Sequence, residues 1–250
     1  MWSPGRLSSN QAALFLDVDG TMIDLAASPS EVVVPAGLVD DIDGIGRALG
    51  GALAIVSGRT IADIDRLFQP LCFRASGVHG AEMRYGPSKT FPTIAMARVL
   101  SPDLWLSLNE ALAAFPATLV ENKRYSFAIH YRAAPSLAPL LLTALQEWLA
   151  ASGDDELEIA EAHFAFEIKG SNFDKGLAID RFLARAPFLG RAPVFIGDDW
   201  TDETGFAAVV RSGGTAYSVG QARPRVSGVF SGPRMVREWL ARTAAEMAPS

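Results

Sequence analysis

Three short apolar runs in this 250-residue chain end in the same way, and they constrain the fold more than any other feature. Ala12-Ala13-Leu14-Phe15-Leu16 runs into Asp17-Val18-Asp19-Gly20-Thr21, Ala52-Leu53-Ala54-Ile55-Val56 into Ser57-Gly58-Arg59, and Val194-Phe195-Ile196 into Gly197-Asp198-Asp199. Continuous apolar runs of this length suit strands covered on both faces, as in a parallel sheet. Helical spacing follows, as at Ile61, Ile64, Leu67 and Phe68, so the units read as βα repeats. The predicted fold class is α/β, with an open parallel sheet. In such open sheets ligands bind beyond the carboxyl ends of the strands, where all three runs carry their polar residues.

The middle of the chain has a different period. Leu104, Leu108, Leu112 and Phe115 repeat at helical spacing, as do Leu137, Leu140, Leu141, Ala144, Leu145 and Trp148. Between them Tyr125, Phe127, Ile129 and Tyr131 alternate with Ser126, Ala128, His130 and Arg132. Further on, Phe164, Phe166 and Ile168 alternate with Ala165, Glu167 and Lys169. These patterns predict one-sided strands with a half-exposed polar face, backed by two amphipathic helices. The division expected is an α/β core over 1–81 and 171–250, with a small α/β layer over 82–170 inserted into it. The segment Ala244–Ser250 is expected to fray.

Composition narrows the function classes. Apolar residues make up 49% and charged residues 20%, enough for a sizeable core. A net charge of -6 argues against general nucleic-acid binding, which needs a basic surface. The single Cys72 fits a reducing compartment. No run reaches the roughly 20 apolar residues of a membrane span, and Arg6 precedes nothing that resembles a signal peptide. The expectation is a soluble, cytoplasmic monomer with a small-molecule substrate, binding neither nucleic acid nor membrane.

Asp17-x-Asp19-Gly20-Thr21 is the sharpest chemical signal. A carboxylate at a strand end can attack phosphorus and form an acyl phosphate, and a second one two residues on can serve as general acid and base. Gly20 permits a tight turn that brings backbone N–H groups to a phosphate. A plain turn is the alternative. A calcium loop fails, because its sixth and twelfth positions would be Met22 and Ser28 rather than Gly and Glu. After the third run, Asp198, Asp199, Asp202 and Glu203 crowd into six residues. That density is costly unless a cation or a helix N-terminus offsets it. Magnesium suits such oxygen ligands, and an acid-rich helix start capped by Thr201 is the other reading.

Ser57 and Gly58 offer a hydroxyl and backbone N–H groups to a phosphoryl oxygen. Lys175, ahead of the run Leu177–Leu183, offers a cation at a helix start. Either residue taken alone is equally a strand end or a solvated lysine. The charge count joins them: a phosphate monoester beside Asp17, Asp19 and Asp198 needs a divalent cation and a lysine. His79 and His130 have no partners at zinc-ligand spacing, and His163 reads as a surface or packing residue.

Taken in order, Asp17-Val-Asp-Gly-Thr, Ser57-Gly-Arg, Lys175 and Gly197-Asp-Asp-x-x-Asp resemble the four motifs of the haloacid dehalogenase superfamily. Gly77-Val-His-Gly-Ala-Glu82, Glu121 to Arg132, Glu167-Ile-Lys169 and Gly197 to Glu203 narrow the resemblance to the bacterial trehalose-6-phosphate phosphatases, over almost the whole chain. The resemblance implies a Rossmann-like parallel-sheet core with an inserted, mobile α/β cap, and a magnesium-dependent phosphatase with an aspartyl-phosphate intermediate. Asp17 would be the nucleophile and Asp19 the general acid and base. Asp17, the Asp19 carbonyl and Asp198 would ligate Mg2+, with Asp202 in support. Gly20, Thr21, Ser57, Gly58 and Lys175 would hold the phosphate. Glu121, Lys123, His130, Arg132, Glu167 and Lys169 would grip the sugar hydroxyls, although Lys123 falls on the other strand parity unless the strand begins after it. Two positions depart from the family pattern: Gly170 stands where Pro is usual, and Asp174 where Ser or Thr is usual. The competing readings are a phosphatase of sucrose 6-phosphate or of glucosyl- or mannosyl-phosphoglycerate, a catalytically silent sugar-phosphate sensor, and a phosphomutase.

Overall fold

The computed structural model describes residues 4–8, 11–26, 31–162 and 164–248. His163, Ser28 and the last two residues of the segment expected to fray lie outside them. Two compact units divide at Ile94 and Asp174: the stretches up to Ile94 and from Asp174 onward form one, and Ala95–Phe173 form the other.

The first unit is built on one twisted sheet. Its strands are β1 (Ala12–Leu16), β2 (Leu53–Val56), β3 (Arg74–Gly77), β4 (Glu82–Arg84) and the two-residue β5 (Ile94–Ala95), then, after the insertion, strands numbered below as β10 to β12. Its helices before the insertion are α1 (Leu38–Ala48) and α2 (Ile61–Leu67). β1 and β2 are buried along their whole length, as their unbroken apolar runs require. In α1, Leu38, Ile42 and Ile45 are the buried residues, spaced so that one face meets the core. Thr60 starts α2 by accepting the Asp63 N–H at 3.1 Å, an N-cap that satisfies one otherwise orphaned donor.

The second unit contains α3 (Pro102–Ala111), β6 (Leu119–Asn122), β7 (Ser126–His130), α4 (Ala138–Ser152), β8 (Leu157–Ala162) and β9 (Ala165–Gly170). Its sheet runs β6-β7-β9-β8, antiparallel throughout. Phe127, Ile129, Phe166 and Ile168 form one core with Leu108, Leu112, Leu141, Leu145 and Trp148. The alternating residues of the strands therefore meet the stripes of both helices, as the two periods predict. Leu140 departs from its expected stripe and is exposed.

The chain then continues in the first unit with α5 (Lys175–Leu183), β10 (Ala192–Gly197), α6 (Glu203–Arg211), β11 (Thr215–Val219), β12 (Gly228–Phe230) and α7 (Pro233–Met247). The sheet order is β12-β11-β10-β1-β2-β3-β4-β5. Strands from β12 to β3 are parallel, and β4 is antiparallel. From β1 the chain moves outward to β2 and β3; from β10 it moves the other way, to β11 and β12. The order therefore reverses between β1 and β10, the switch point at which open α/β sheets leave a crevice. Among the described residues no helix is long and apolar enough to cross a membrane.

The boundary expected at 82 falls later, after Ile94. Residues 82–84 pair with β3 at Gly77↔Glu82 and Ala75↔Arg84. Arg84 is buried and forks onto Asp65 at 2.7 and 2.6 Å. A three-residue strand with a charge at each end carries no apolar signal, so it reads as a polar loop.

Candidate active site

The loops after β1 and β10 meet at the switch point. Val18 O accepts N–H groups from Thr21, Met22 and Ile23, and Gly20 N–H donates to Ile23 O at 2.8 Å, which folds residues 18–23 into a tight turn. Gly20 adopts φ +73, and a Cβ there would lie 2.1 Å from Asp198 Oδ2. Only glycine lets the two loops approach this closely. The Thr21 hydroxyl lies 3.1 Å from Asp17 Oδ2 and 3.1 Å from Asp198 Oδ1, and its single proton serves one of them at a time.

Asp202 organises the second loop. Its Oδ2 accepts the N–H groups of Asp198 and Asp199, both at 2.9 Å, and Asp199 completes a capping box at the turn Trp200–Asp202. Lys175, the first residue of α5, donates to Asp17 Oδ1 at 2.8 Å and to Asp202 Oδ1 at 2.6 Å. Both oxygens of Asp202 are thus engaged, whereas Asp17 and Asp198 each keep acceptor capacity. Asp174 caps α5 by accepting the Leu177 N–H at 2.7 Å, so this departure from the family pattern keeps the capping role of a Ser or Thr.

Asp17, Lys175 and Asp202 are buried. Asp17, Asp198 and Asp202 each offer an oxygen within 4.8 Å of the others. Burial pushes Asp17 up to about 7; Lys175 opposes the shift, while Asp202 and Asp19 add to it. Burial pushes Asp198 up to about 9, with Asp17 and Asp202 adding to it. Burial alone would lower Lys175, but the Asp17 and Asp202 carboxylates outweigh it and its pKa is raised. One ammonium does not neutralise three carboxylates. Crowded oxygens with raised pKa values match the hard, oxygen-seeking chemistry of a small divalent cation.

Asp19 pairs with a cation of its own. Its two carboxylate oxygens accept from Arg59 Nε and one terminal nitrogen, each at 2.6 Å. Ser57 is buried at the end of β2, and its Oγ accepts the Arg59 N–H at 3.1 Å. Gly58 lies against the His79 ring, where a Cβ would sit 2.4 Å from Nε2.

In the second unit the polar face of β7 and β9 holds the remaining candidates. Register places Ser126 opposite Lys169, and Ala128 opposite both Glu121 and Glu167. Ser126 Oγ donates to Glu167 Oε1 at 2.7 Å, and Lys123 Nζ approaches the same oxygen at 3.5 Å. Lys169 donates to Glu158 at 2.5 Å and to the Phe173 carbonyl at 3.1 Å. His130 Nε2 lies 3.1 Å from Glu121 Oε2, and that hydrogen bond holds Glu121 below the usual carboxylate range against its partial burial. Lys123 lies in the turn between β6 and β7, which removes the parity conflict. Arg132 follows β7 and stacks 5.6 Å from the Phe164 ring. The face expected to be half-exposed is uneven: Ser126, Glu167 and Lys169 are 0%, 2% and 7% exposed, whereas His130 is part-buried and Arg132 is exposed. Period-2 alternation sorts residues to faces but does not report what covers a face. Gly170 ends β9 beside Asn172 and Phe173, where a Cβ would lie 3.0 Å from the Asn172 side chain.

A sequence model of the trehalose-phosphatase family matches residues 15–227, which spans both loops of the switch point and the whole second unit. The chain belongs to the trehalose-phosphatase family. It is 36% identical to the trehalose-6-phosphate phosphatase of Escherichia coli (strain K12), over 93% of this chain and 86% of that one. It is 38% identical to a probable trehalose-phosphate phosphatase of Sinorhizobium fredii, over 88% of this chain and 82% of that one. Among solved structures, the C-terminal domain of the C. albicans trehalose-6-phosphate phosphatase superposes with a TM-score of 0.83, at 19% identity, over 95% of this chain and 93% of that one; at that identity the likeness is one of fold.

Two residues near this family's site escape sequence reasoning. In the sequence Arg59 only ends Ser-Gly-Arg, with no role of its own. Arg223 is buried, donates to the Asp198 carbonyl at 3.2 Å and stacks 4.1 Å from the Trp200 ring. Nothing around Ala222-Arg223-Pro224 marks such a contact in one dimension.

Proposed function

We propose that this protein hydrolyses trehalose 6-phosphate to trehalose and phosphate through an aspartyl phosphate on Asp17, with Mg2+ as cofactor. The observation that carries the reading is the Asp17 carboxylate, buried at the switch point, oriented by Lys175 and Thr21 and facing Asp198. An Asp17 oxygen attacks phosphorus, the bond to the sugar oxygen breaks, and that oxygen takes a proton from Asp19. Water then attacks phosphorus and gives its proton to Asp19, and the bond between phosphorus and Asp17 breaks. Lys175 and the Ser57 hydroxyl, with N–H groups around Gly20, Thr21 and Gly58, bind the phosphoryl oxygens. Asp17, Asp198 and the Asp19 carbonyl would hold Mg2+, with Asp202 in support, and the ion would neutralise charge on phosphate and carboxylates.

We assign sugar recognition to the polar face of the second unit. Glu121, Lys123, His130, Arg132, Glu167 and Lys169 are the groups chosen, and the names of the bacterial relatives support trehalose 6-phosphate as the substrate. The deciding assay measures phosphate release with Mg2+ from trehalose 6-phosphate, sucrose 6-phosphate and glucosyl- and mannosyl-phosphoglycerate. Trehalose 6-phosphate is expected to give the highest kcat/KM. A better rival substrate overturns the choice of sugar, and no release from any of them supports a silent sensor. Glu167→Ala is expected to cut kcat/KM for trehalose 6-phosphate by about 10–10²-fold, because a sugar hydroxyl that loses its hydrogen bond to a charged group forfeits about 1.5–3 kcal/mol. Turnover of p-nitrophenyl phosphate, which has no sugar, is expected to change little. Proportional loss on both substrates would assign Glu167 to the fold or the chemistry instead.

The carboxylate cluster also predicts a pH dependence. Both acids start from 3.8 and are raised in the folded protein, Asp17 to about 7 and Asp198 to about 9. Between about 4 and 9 the metal-free folded state therefore holds more protons than the unfolded chain, so stability falls as pH rises. The melting temperature without Mg2+ is expected to drop from pH 5 to 8, and Mg2+ to restore it. Asp198→Asn is expected to flatten the drop. An equal slope in wild type and Asp198→Asn would show that the cluster does not set it.

A further inference from the structure

We propose that Arg59 is the positioning residue for Asp19, and that the turn Gly77-Val78-His79-Gly80-Ala81-Glu82 serves to hold Arg59 in place. The inference rests on the reading of Asp19 as the proton donor and acceptor. The Arg59 side chain is 12% exposed and that of Asp19 31%, and the fork makes both contacts at 2.6 Å. Two parallel bonds from a rigid guanidinium fix a carboxylate in plane and direction, which a single contact does not. Each carboxylate oxygen keeps a second lone pair, so a proton given up or received there need not break the pair.

Arg59 is itself clamped on its backbone. Its N–H donates to Ser57 Oγ at 3.1 Å, and its carbonyl accepts the Val78 N–H at 2.8 Å. The His79 N–H donates to the Ser57 carbonyl at 3.0 Å. Glu82 Oε2 accepts the N–H of Ile61, two residues beyond Arg59, at 2.8 Å. A Cβ on Gly77 would lie 2.8 Å from both the Arg59 carbonyl oxygen and the Ile61 nitrogen, so this approach requires glycine. Val78 and His79 adopt φ +46 and +53. That region is strained for side-chain-bearing residues, most of all for a β-branched valine, and persists only where the surroundings over-determine it. The turn thus spends its hydrogen bonds, its glycine and its strain on the Ser57–Ile61 segment that carries Arg59.

The test uses Arg59→Ala and Arg59→Lys in the full chain with Mg2+. Rates of the first chemical step are measured in single turnovers of trehalose 6-phosphate and of p-nitrophenyl phosphate. The sugar alkoxide needs a proton as it leaves, and nitrophenolate scarcely does. Misplacing a catalytic group by an ångström can cost about 10²-fold. Arg59→Ala is therefore expected to slow the first step about 10²-fold on the sugar ester and less than about 10-fold on the aryl ester, with KM for both little changed. Arg59→Lys, which keeps the charge without the fork, is expected to fall between. In an Asp19→Asn background, Arg59→Ala is expected to cost less than about 2-fold, because residues acting through one group are not additive. Gly77→Ala is expected to reproduce the leaving-group signature; should it fail to fold, Glu82→Ala carries the same test of the clamp. Equal losses on both esters, a raised KM, or full additivity with Asp19→Asn would overturn the proposal and make Arg59 a phosphate-binding group. A wild-type protein that releases phosphate from neither ester would overturn the phosphatase reading; an active one indifferent to Arg59→Ala would overturn this inference alone.

Discussion

Asp17→Asn is expected to abolish phosphate release, on the order of the 10⁶-fold loss that follows removal of a nucleophile in other covalent enzymes, and to leave a folded protein. The amide matches the carboxylate in size, so the buried space at the end of β1 stays filled. Its carbonyl oxygen can still accept from Lys175 or Thr21, the two donors to Asp17 in the wild type. Burial already pushes Asp17 up to about 7, so a neutral side chain is close to what the metal-free fold favours at neutral pH. What is lost is the oxygen nucleophile, since an amide does not form an acyl phosphate. Phosphate release and a thermal melt, measured on one preparation, separate the two claims. Residual turnover above about 1% in a folded, homogeneous sample would exclude a covalent intermediate on Asp17, because general acid–base assistance to direct attack by water is worth only about 10²–10⁴-fold.

The parts of this protein legible in the sequence are those whose signal is local. The apolar runs 12–16, 52–56 and 194–196 become β1, β2 and β10 because strands buried on both faces need no polar positions. Their endings gather because a parallel sheet aligns its carboxyl edges. Alternation and helical spacing between 104 and 168 place the second unit's core for the same kind of reason. What stays hidden are groups whose partner is distant in sequence. β4 is three residues long, and its Arg84 is sustained by Asp65 rather than by an apolar pattern. Asp19 reads in one dimension as a free acid, yet its two oxygens face a guanidinium forty residues away. Asp202 reads as support for a metal ion, but the sequence does not show that its oxygens also serve Lys175 and the N–H groups of Asp198 and Asp199. Alternation puts the polar residues of β7 and β9 on one side of their sheet, but a period of two does not tell that Ser126, Glu167 and Lys169 are buried while Arg132 is exposed.

Lys175→Met gives the largest expected effect on the fold itself. Lys175 is 2% exposed, and its ammonium lies between Asp17 at 2.8 Å and Asp202 at 2.6 Å. A methionine fills much of the same volume, so the cost is electrostatic rather than one of packing. Removing one partner of a buried ion pair costs about 3–5 kcal/mol, because the remaining charge is left uncompensated in a poorly polarisable environment. Here two carboxylates lose their shared cation, with Asp198 beside them. A loss of that size is a large part of the roughly 5–15 kcal/mol by which a domain is stable. Asp202 is the more sensitive of the two, since its other oxygen holds the loop that carries Asp198. The melting temperature is therefore expected to fall by at least about 5 °C, on the scale of about 2–4 °C per kcal/mol for a chain of this length. Activity is expected to disappear with the phosphate ligand. If the cause is uncompensated charge, Asp17→Asn placed on top of Lys175→Met must restore part of the stability while restoring no turnover. Mg2+ must also stabilise the single variant more than it stabilises the double, in which one of its proposed ligands is gone. A double variant no more stable than Lys175→Met would show instead that the methionine does not pack. In that case the buried pairing of Lys175 with Asp17 would not be what holds the end of β1 in place.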